Sequence, residues 1–444
     1  MVSKTGVRIS QCMIVKNEEN NIQRALSWGK GLVSEQVVVD TGSTDQTMEI
    51  ARRMGAIVYE FPWKDDFSAA KNFAISKTKY EWIAFLDADE YLAPDAKEKV
   101  RDYIKLLHDT EAESLLTSWV NLDNQGNVMN VGTQNRIFKR HLRYEGRIHE
   151  HLISTRNRLH QAADVTKDVT IYHTGYGARE ENRKSGRNLR LILLELEDHP
   201  DSYEMWGYLG QEYMAREEWK QAEASLRKAA ALIPKEGKGV YDITLSVTYL
   251  RLLDVLILRG AKESDLLKVY RQATGGWPEE ADYDYIIARY FCGKGDWEQG
   301  ESHLKRGLKI LETYGTVCKS MILAGEIRQA YELLAICCYN NENLTEAIRY
   351  ITLLLKEEPY LMSPLTLMLR IFSQDPQIAA QGKDGARQVV RLLENNFYNL
   401  TSLKDRLFLL KAARTSDYQE LILEILKLFH PEELAVVEQT LNKG

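Results

Sequence analysis

The sequence predicts an α/β domain built on a mostly parallel sheet, followed by an all-α region of repeated helix pairs. Three observations carry that reading. Up to about residue 110, short β-branched runs alternate with helix-forming segments. From about residue 113 to 173 the runs are strand-like, with no helical segment between them. Beyond residue 178 the strand signal ends and helical spacing of apolar residues takes over. Strand–helix alternation implies parallel strands with helices on both faces. Consecutive strands extend such a sheet with antiparallel pairs. The predicted boundaries are 1–178 for the α/β domain, 179–198 for a linker helix, 199–361 for the repeats and 362–444 for C-terminal helices.

The elements follow in order. Residues 8–15 read as a strand and 18–27 as a helix. Residues 36–40 (QVVVD) suit a buried parallel strand. A helix is expected over 44–54, with Ser43 as its N-cap. Residues 56–60 form a third strand, 66–77 a helix and 81–86 (EWIAFL) a fourth strand. Strands are then expected at 113–120, 133–139, 142–153 and 167–173. Asn124-Gln125-Gly126-Asn127 supplies a turn between the first two of these. A long helix over 180–197 is closed by His199-Pro200.

The helical region repeats. Trp206-Gly207-Tyr208-Leu209-Gly210-Gln211-Glu212-Tyr213 fits W-x2-L-G-x2-Y without a gap. Ala222 and Pro234 fall at later consensus positions, and Leu226 replaces the usual Phe. That is a tetratricopeptide-like unit of about 34 residues. Ala288, Phe291, Gly300, Leu304 and Gly307 mark a weaker second unit. Tyr331, Leu334, Ala335, Cys338, Ala347, Ile351 and Pro359 mark a third, and 240–273 can supply one more helix pair. A lone unit cannot bury its faces, which favours stacked repeats over an irregular bundle.

Composition excludes several classes. The chain has 444 residues, enough for two to three domains. Its net charge of −6 argues against a general nucleic-acid binder. No run of 18 apolar residues exists, so no transmembrane helix is expected. The first residues lack the apolar core of a secretory signal. The five cysteines (Cys12, Cys292, Cys318, Cys337 and Cys338) show no metal-type spacing. They read as free buried thiols of a cytoplasmic protein.

Chemistry concentrates where strands end. Phe85-Leu86-Asp87-Ala88-Asp89-Glu90 closes a strand with two carboxylates one residue apart. Ligands of open α/β sheets bind at that edge. The spacing suits one carboxylate on a cation such as magnesium and the other on a sugar hydroxyl. A solvated acidic turn is the plain alternative. Asp40-Thr41-Gly42-Ser43-Thr44-Asp45 also follows a buried strand, and Gly42 permits close backbone approach. Asp40 could accept hydrogen bonds from a ribose or base. The first strand ends likewise at Val15-Lys16-Asn17-Glu18-Glu19.

With these residues in place, the chain resembles the family 2 glycosyltransferases of GT-A fold. The resemblance rests on IVKNEE (14–19), VVVDTGSTDQT (37–47), DDFSAAKN (65–72) and FLDADEYL (85–92), and covers about residues 8–178. It implies that Val15, Asn17, Glu18, Asp40, Gly42 and Ser43 hold a nucleotide sugar, most simply a UDP-sugar such as UDP-glucose. It implies Asp89 as main ligand of Mg2+ or Mn2+, Asp87 beside it on ribose or donor sugar, and inverting transfer with a carboxylate base. Thr41 departs from the usual D-D-G-S pattern, which leaves base selectivity open. Lys71 stands where many members carry Arg, so it reaches a phosphate as a point charge only.

On the acceptor side, Gly146-Arg147-Ile148-His149-Glu150 and Tyr172-His173-Thr174-Gly175-Tyr176 resemble a subgroup. That subgroup includes bacterial peptide S-glycosyltransferases of the sublancin type and some lipopolysaccharide core transferases. Five of the nine histidines lie between His141 and His173. His173 is the expected third metal ligand. Glu150 is the expected base, with His149 orienting or replacing it. Asp66, grouped with the donor side, is the runner-up, and a salt bridge from Glu150 to Arg147 is the plain alternative. Lys184 and Arg187, early in the linker helix, are expected to cover the departing diphosphate.

The function these residues imply is a metal-dependent, inverting transfer from a nucleotide sugar to a peptide or protein, since concave helical repeats bind extended chains. The repeats could equally mediate a homodimer. A polysaccharide or lipid-linked acceptor, and an inactive transferase domain on a helical scaffold, are the alternatives.

Overall fold

The structure, a computed structural model, describes residues 7–107, 110–156, 160–174, 178–233, 243–315, 322–433 and 437. For 178–185 and 243–245 it describes the backbone alone. The chain divides into two compact units, Met1–Glu217 and Glu218–Gly444.

In the first unit, β1 (Ile9–Val15), β2 (Glu35–Asp40), β3 (Ile57–Glu60) and β4 (Trp82–Phe85) are parallel, in the order β3-β2-β1-β4. Alternate side chains of β1 explain the two-sided burial. Met13 and Val15 pack on α1 (Ile22–Ser27) and α2 (Thr47–Arg53). Cys12 and Phe85 pack with Ala74 and Ile75 of α3 (Phe67–Ser76). Beyond β4 the sheet continues through β7 (Val128–Lys139), β6 (Ala112–Leu122), β11 (Thr170–His173) and β5 (Glu90–Leu92). The pairs β4–β7, β7–β6 and β11–β5 are antiparallel, while β6–β11 is parallel. The extension is therefore mixed and not wholly antiparallel as expected, because β11 and β10 (Gln161–Asp164) both run parallel to β6. Two strands, β5 and β10, carry too little pattern to be read beforehand, whereas helix α4 (Ala96–Leu106), absent from the expected elements, has Ala96, Val100 and Ile104 at helical spacing. The strands are three and four residues long.

Three expectations need correction. The first helix starts at Ile22, not residue 18, because residues 17–19 are committed to the neighbouring loop. The second starts at Thr47 with Gln46 at its N-cap, and Ser43 does not cap it. The Ser43 hydroxyl instead accepts from the Asn17 amide at 2.8 Å. The strand expected over 142–153 is a hairpin, β8 (Leu142–Glu145) and β9 (His151–Ser154), interrupted by the Gly146–Glu150 loop. Gly146, at φ +96°, allows that break.

The linker is α5 (Ala178–Asp198), which packs with α6 (Tyr203–Ala215) inside the first unit. Leu191, Ile192 and Leu196 of α5 meet Met205 and Leu209 of α6 and Ile148 of the loop. Ser202 caps α6 by accepting from the Met205 amide.

The second unit is helical throughout its described residues. It runs through α7 (Trp219–Leu232), α8 (Ile243–Leu258), α9 (Glu263–Gly276), α10 (Ala281–Gly293), α11 (Trp297–Tyr314) and the short α12 (Ile322–Gly325). It continues with α13 (Ile327–Asn340), α14 (Leu344–Glu357), α15 (Met362–Gln374), α16 (Pro376–Ala380), α17 (Lys383–Asn396), α18 (Leu403–Thr415) and α19 (Gln419–Leu426). The pair expected within 240–273 is α8 and α9. The signature residues Ala288, Leu304, Leu334, Ala335, Cys338, Ala347 and Ile351 are all buried in one core cluster. Pro234 lies outside the described residues. Cys12, Cys292, Cys337 and Cys338 are buried free thiols, and Cys318 lies outside the described residues. No helix among the described residues is long and apolar enough to cross a membrane.

Candidate active site

The parallel strands β2, β1 and β4 end on one edge, and the polar clusters predicted there converge. Two loops are laced together. The Asn17 amide donates to Ser43 and the Thr44 amide donates to Asn17 Oδ1, both at 2.8 Å. The Glu18 amide donates to Thr47 Oγ1 at 2.7 Å. Asn17 holds φ 57°, a left-handed conformation that asparagine tolerates better than most residues. Asp40 is 2% exposed. Its Oδ1 accepts from the Gly42 and Ser43 amides at 2.8 and 2.9 Å, while the buried Oδ2 has no protein partner. Gly42, at φ +110°, makes that turn possible.

A cavity of about 770 Å³ opens beside these loops. Val15, Asn17 and Glu18 line it together with Lys71, Asp87, Asp89, His149, Glu150, His173 and Arg187. Sequence positions 15 to 187 thus reach one space. Asp40, Gly42, Ser43 and Asp66 do not line it. Asp66 caps α3 by accepting from the Ala69 amide at 2.8 Å. Lys184 lies on α5, with its side chain outside the described residues, as are Gly175 and Tyr176.

Within the cavity the carboxylates have distinct partners. Asp87 Oδ2 accepts from Arg136 at 2.8 Å, and Asp87 Oδ1 is 3.8 Å from Lys71 Nζ. Arg136 also reaches Glu90 Oε1 at 2.5 Å. Glu90 is 1% exposed and accepts from Trp119 Nε1 and the Asp87 amide at 2.8 and 2.9 Å. Lys71 Nζ lies 2.5 Å from Glu150 Oε1. The result is a chain of alternating charge: Glu150, Lys71, Asp87, Arg136, Glu90. Burial alone would raise the Asp87 pKa, but Arg136 and Lys71 override it and hold the carboxyl far below its usual range. Burial alone would lower the Lys71 pKa, yet Asp87 and Glu150 keep the ammonium charged well above its usual range. Burial dominates at Glu90, raising its pKa despite Arg136.

Arg136, Glu90 and Trp119 are the functional neighbours that sequence reasoning missed. Arg136 sits inside the strand expected over 133–139, and Glu90 directly follows the paired aspartates. The β4–β7, β6–β7, β6–β11 and β11–β5 registers bring them together. The Glu150–Arg147 bridge is absent: Arg147 pairs instead with Asp198 at 2.5 Å and Glu195 at 3.7 Å.

Asp89 stands apart from that chain. Its Oδ2 faces His173 Nε2 at 3.2 Å, and His173 Nδ1 lies 2.7 Å from Asn121 Oδ1. In the tautomer that donates from Nδ1 to Asn121, the Nε2 lone pair faces Asp89. Two acceptors so placed suit a cation between them, so Asp89 and His173 fit as a ligand pair. Asp87 does not complete a trio, because Arg136 and Lys71 take its oxygens. No group of three metal-ligating side chains gathers among the described residues.

At the other side, His149 (φ 54°) stacks on Tyr208, with ring centroids 3.6 Å apart and planes 8° from parallel. The Arg187 guanidinium lies over the Phe67 ring, 5.0 Å from its centre. Trp63 meets Phe67 edge-on at 4.9 Å. Trp63 also donates to Asp65 at 2.7 Å, a residue at φ 57° that Arg190 grips through both oxygens.

Residues 10–166 match the family model described as "Glycosyl transferase family 2". Fold and match together define the class. The N-terminal domain is like those of family 2 sugar transferases, with a GT-A-like mixed sheet, and a TPR-like all-α region follows it.

A TPR repeat-containing protein of Synechococcus elongatus is 31% identical over 230 residues, 50% of this chain and 56% of its own. The SPbeta prophage-derived glycosyltransferase SunS of Bacillus subtilis is 26% identical over 286 residues, 62% of this chain and 64% of its own. The chain thus spans less than two thirds of the length of these curated relatives. Among solved structures, residues 1–349 of S. aureus TarS in complex with UDP-GlcNAc match at 14% identity. That match covers 62% of this chain and 90% of that one, with a TM-score of 0.35.

Proposed function

We propose that the chain is an inverting glycosyltransferase that moves a sugar from a nucleoside-diphosphate donor, a UDP-sugar, to a peptide or protein side chain. The observation that carries this reading is the cavity itself. It gathers Asp89 with His173, Lys71 with Asp87, and His149 with Glu150 at the carboxyl edge of a parallel sheet. That edge is where open α/β sheets bind ligands. The family match over residues 10–166 supports the same reading. The peptide acceptor follows from the helical repeats, whose surfaces suit extended chains.

Each residue has work to do. The loop at Val15–Glu18 and Thr41 line the nucleoside's side of the cavity, and Asp40 Oδ2, buried behind them without a protein partner, would accept from a base or ribose only once the loop shifts to expose it. Asp89 and His173 would hold a divalent cation, whose positive charge would offset that of the diphosphate leaving group. Asp87, fixed by Arg136, accepts from donor-sugar or ribose hydroxyls. Arg187 and Lys184 add positive charge as the diphosphate departs. The acceptor atom attacks the anomeric carbon in line, forming the new glycosidic bond as the bond to phosphate oxygen breaks. Lys71 keeps Glu150 in place through Oε1, and Oε2 takes the acceptor proton.

The test is a panel of nucleotide sugars with manganese, reading released nucleoside diphosphate with and without peptides. Asp89→Ala should abolish release. Glu150→Gln should lower turnover about 10²- to 10⁴-fold, the usual range for a lost base. If Glu150→Gln keeps most turnover while Asp89→Ala loses it, the base lies elsewhere. A wild-type protein that releases nothing from any donor would leave the inactive-scaffold reading standing. Arg187→Ala should weaken nucleotide binding in calorimetry, and unchanged affinity would remove its role.

A further inference from the structure

The loop that presents Glu150 is gripped from outside the α/β sheet, residue by residue. The Arg147 amide donates to Glu195 of α5 at 3.0 Å, and its guanidinium pairs with Asp198 at 2.5 Å. Ile148 is buried against Leu191, Ile192, Met205 and Leu209 of α5 and α6. His149 lies flat on Tyr208 of α6. His149 also carries a left-handed backbone, a conformation that costs energy and persists only where surroundings hold it. Asn188, which lines the cavity, donates to Glu212 of α6 at 3.4 Å.

Tyr208 occupies a free position of the W-x2-L-G-x2-Y signature, so helix-pair packing does not require an aromatic there. We infer that Tyr208 is a positioning residue of the transferase site: its ring fixes His149, and through it the backbone that presents Glu150 to the acceptor. A helix bearing a repeat signature thereby buttresses the loop that carries Glu150. This rests on the transferase reading above. The aromatic face, not the hydroxyl, does the positioning, because parallel rings in contact attract through dispersion and offset quadrupoles.

The experiment uses the full chain, UDP-glucose and manganese, with Tyr208→Ala and Tyr208→Phe. Sugar release to water, UDP affinity by calorimetry, and the His149 imidazole proton resonance are read in parallel. That resonance is assigned by its loss in His149→Gln. A ring stacked on Tyr208 shifts the resonance upfield. Tyr208→Ala should return the resonance to the ordinary histidine range and lower the release rate about tenfold or more. That size is expected when a reacting group loses its orientation. UDP affinity should stay within about twofold, and Tyr208→Phe should match wild type in all three readouts.

If Tyr208→Ala loses the ring-current shift and keeps wild-type release, the inference falls while the transferase reading stands. A parallel loss of UDP affinity would show general unfolding of the site and also overturn it. If wild-type protein releases no sugar from UDP-glucose or any donor of the panel, the transferase reading falls and the inference falls with it.

Discussion

Lys71 is 4% exposed and charged, held between Asp87 and Glu150, and the half-buried Arg136 is held likewise between Asp87 and Glu90. Breaking one member of a buried ionic chain leaves the others uncompensated. Arg136→Met should therefore destabilise the first unit by about 3–5 kcal/mol, read by urea unfolding. It should also weaken UDP-sugar turnover, because Asp87 loses its anchor. A second residue gives a pH test in the helical unit. Burial pushes the Asp254 carboxyl up to about 6, against partial relief from Arg289. Its ordinary value is about 3.9. A folded pKa above the unfolded one contributes fully below pH 4 and is lost as pH rises through 6. Asp254→Asn should thus stabilise the protein at pH 8 by about 2 kcal/mol and leave it unchanged at pH 4. At this scale the sequence displayed Asp89, His173, Lys71 and Glu150, since each sits in a local motif. It hid Arg136 and Glu90, whose meeting depends on strand register.

The elements explain why some motif residues are small. Gly300, read beforehand as part of a repeat signature, lies in α11 where it crosses α10. A Cβ there would collide with Cys292 Sγ and press on Cys337 Sγ at 3.4 Å. Those two sulfurs are themselves 3.3 Å apart. In an open helix, Gly→Ala gains about 1 kcal/mol. Here Gly300→Ala should instead cost about 1–3 kcal/mol, the range for overpacking a filled core. A thermal melt gives the sign directly. Element type was legible wherever a pattern ran long enough, as in β1, β2, α3 and the helices after residue 178. Element ends were not. The helix after β2 starts three residues late because Asp45 binds the Thr47 amide and hydroxyl, so loop chemistry outcompetes helix propensity. The Gly146–Glu150 break was hidden inside a run of strand-like residues that only its neighbours could interrupt.

On the scale of the molecule, the compact division falls after Glu217 and assigns α6 to the sugar-transferase unit. Cutting the chain after residue 217 should leave a folded fragment that binds UDP. Cutting after residue 198 removes Met205 and Leu209 from the cluster around Ile148, Leu191 and Ile192. Each lost apolar side chain is worth about 1.5–3 kcal/mol, so the shorter fragment should melt at a clearly lower temperature. Comparable melting of the two would show that α6 adds nothing to the first unit. The net charge of −6 was a poor guide to the site. Residues 136–190 carry 13 Lys or Arg against 6 Asp or Glu.

Of the six left-handed non-glycine residues among the described residues, Asn17, Asp65 and His149 lie around the site and have one more consequence, for how this protein can change over generations. Few side chains tolerate that backbone, and β-branched ones tolerate it least. Each position should therefore drift mainly towards Gly, Asn or Asp, although Glu217 and Glu342 show that this chain also holds glutamate with that backbone. A library selected for protease resistance alone should accept glycine at all three. A library selected for sugar transfer should still reject glycine at 149. The gap between the two selections would measure how much of that position's constraint is geometry and how much is chemistry.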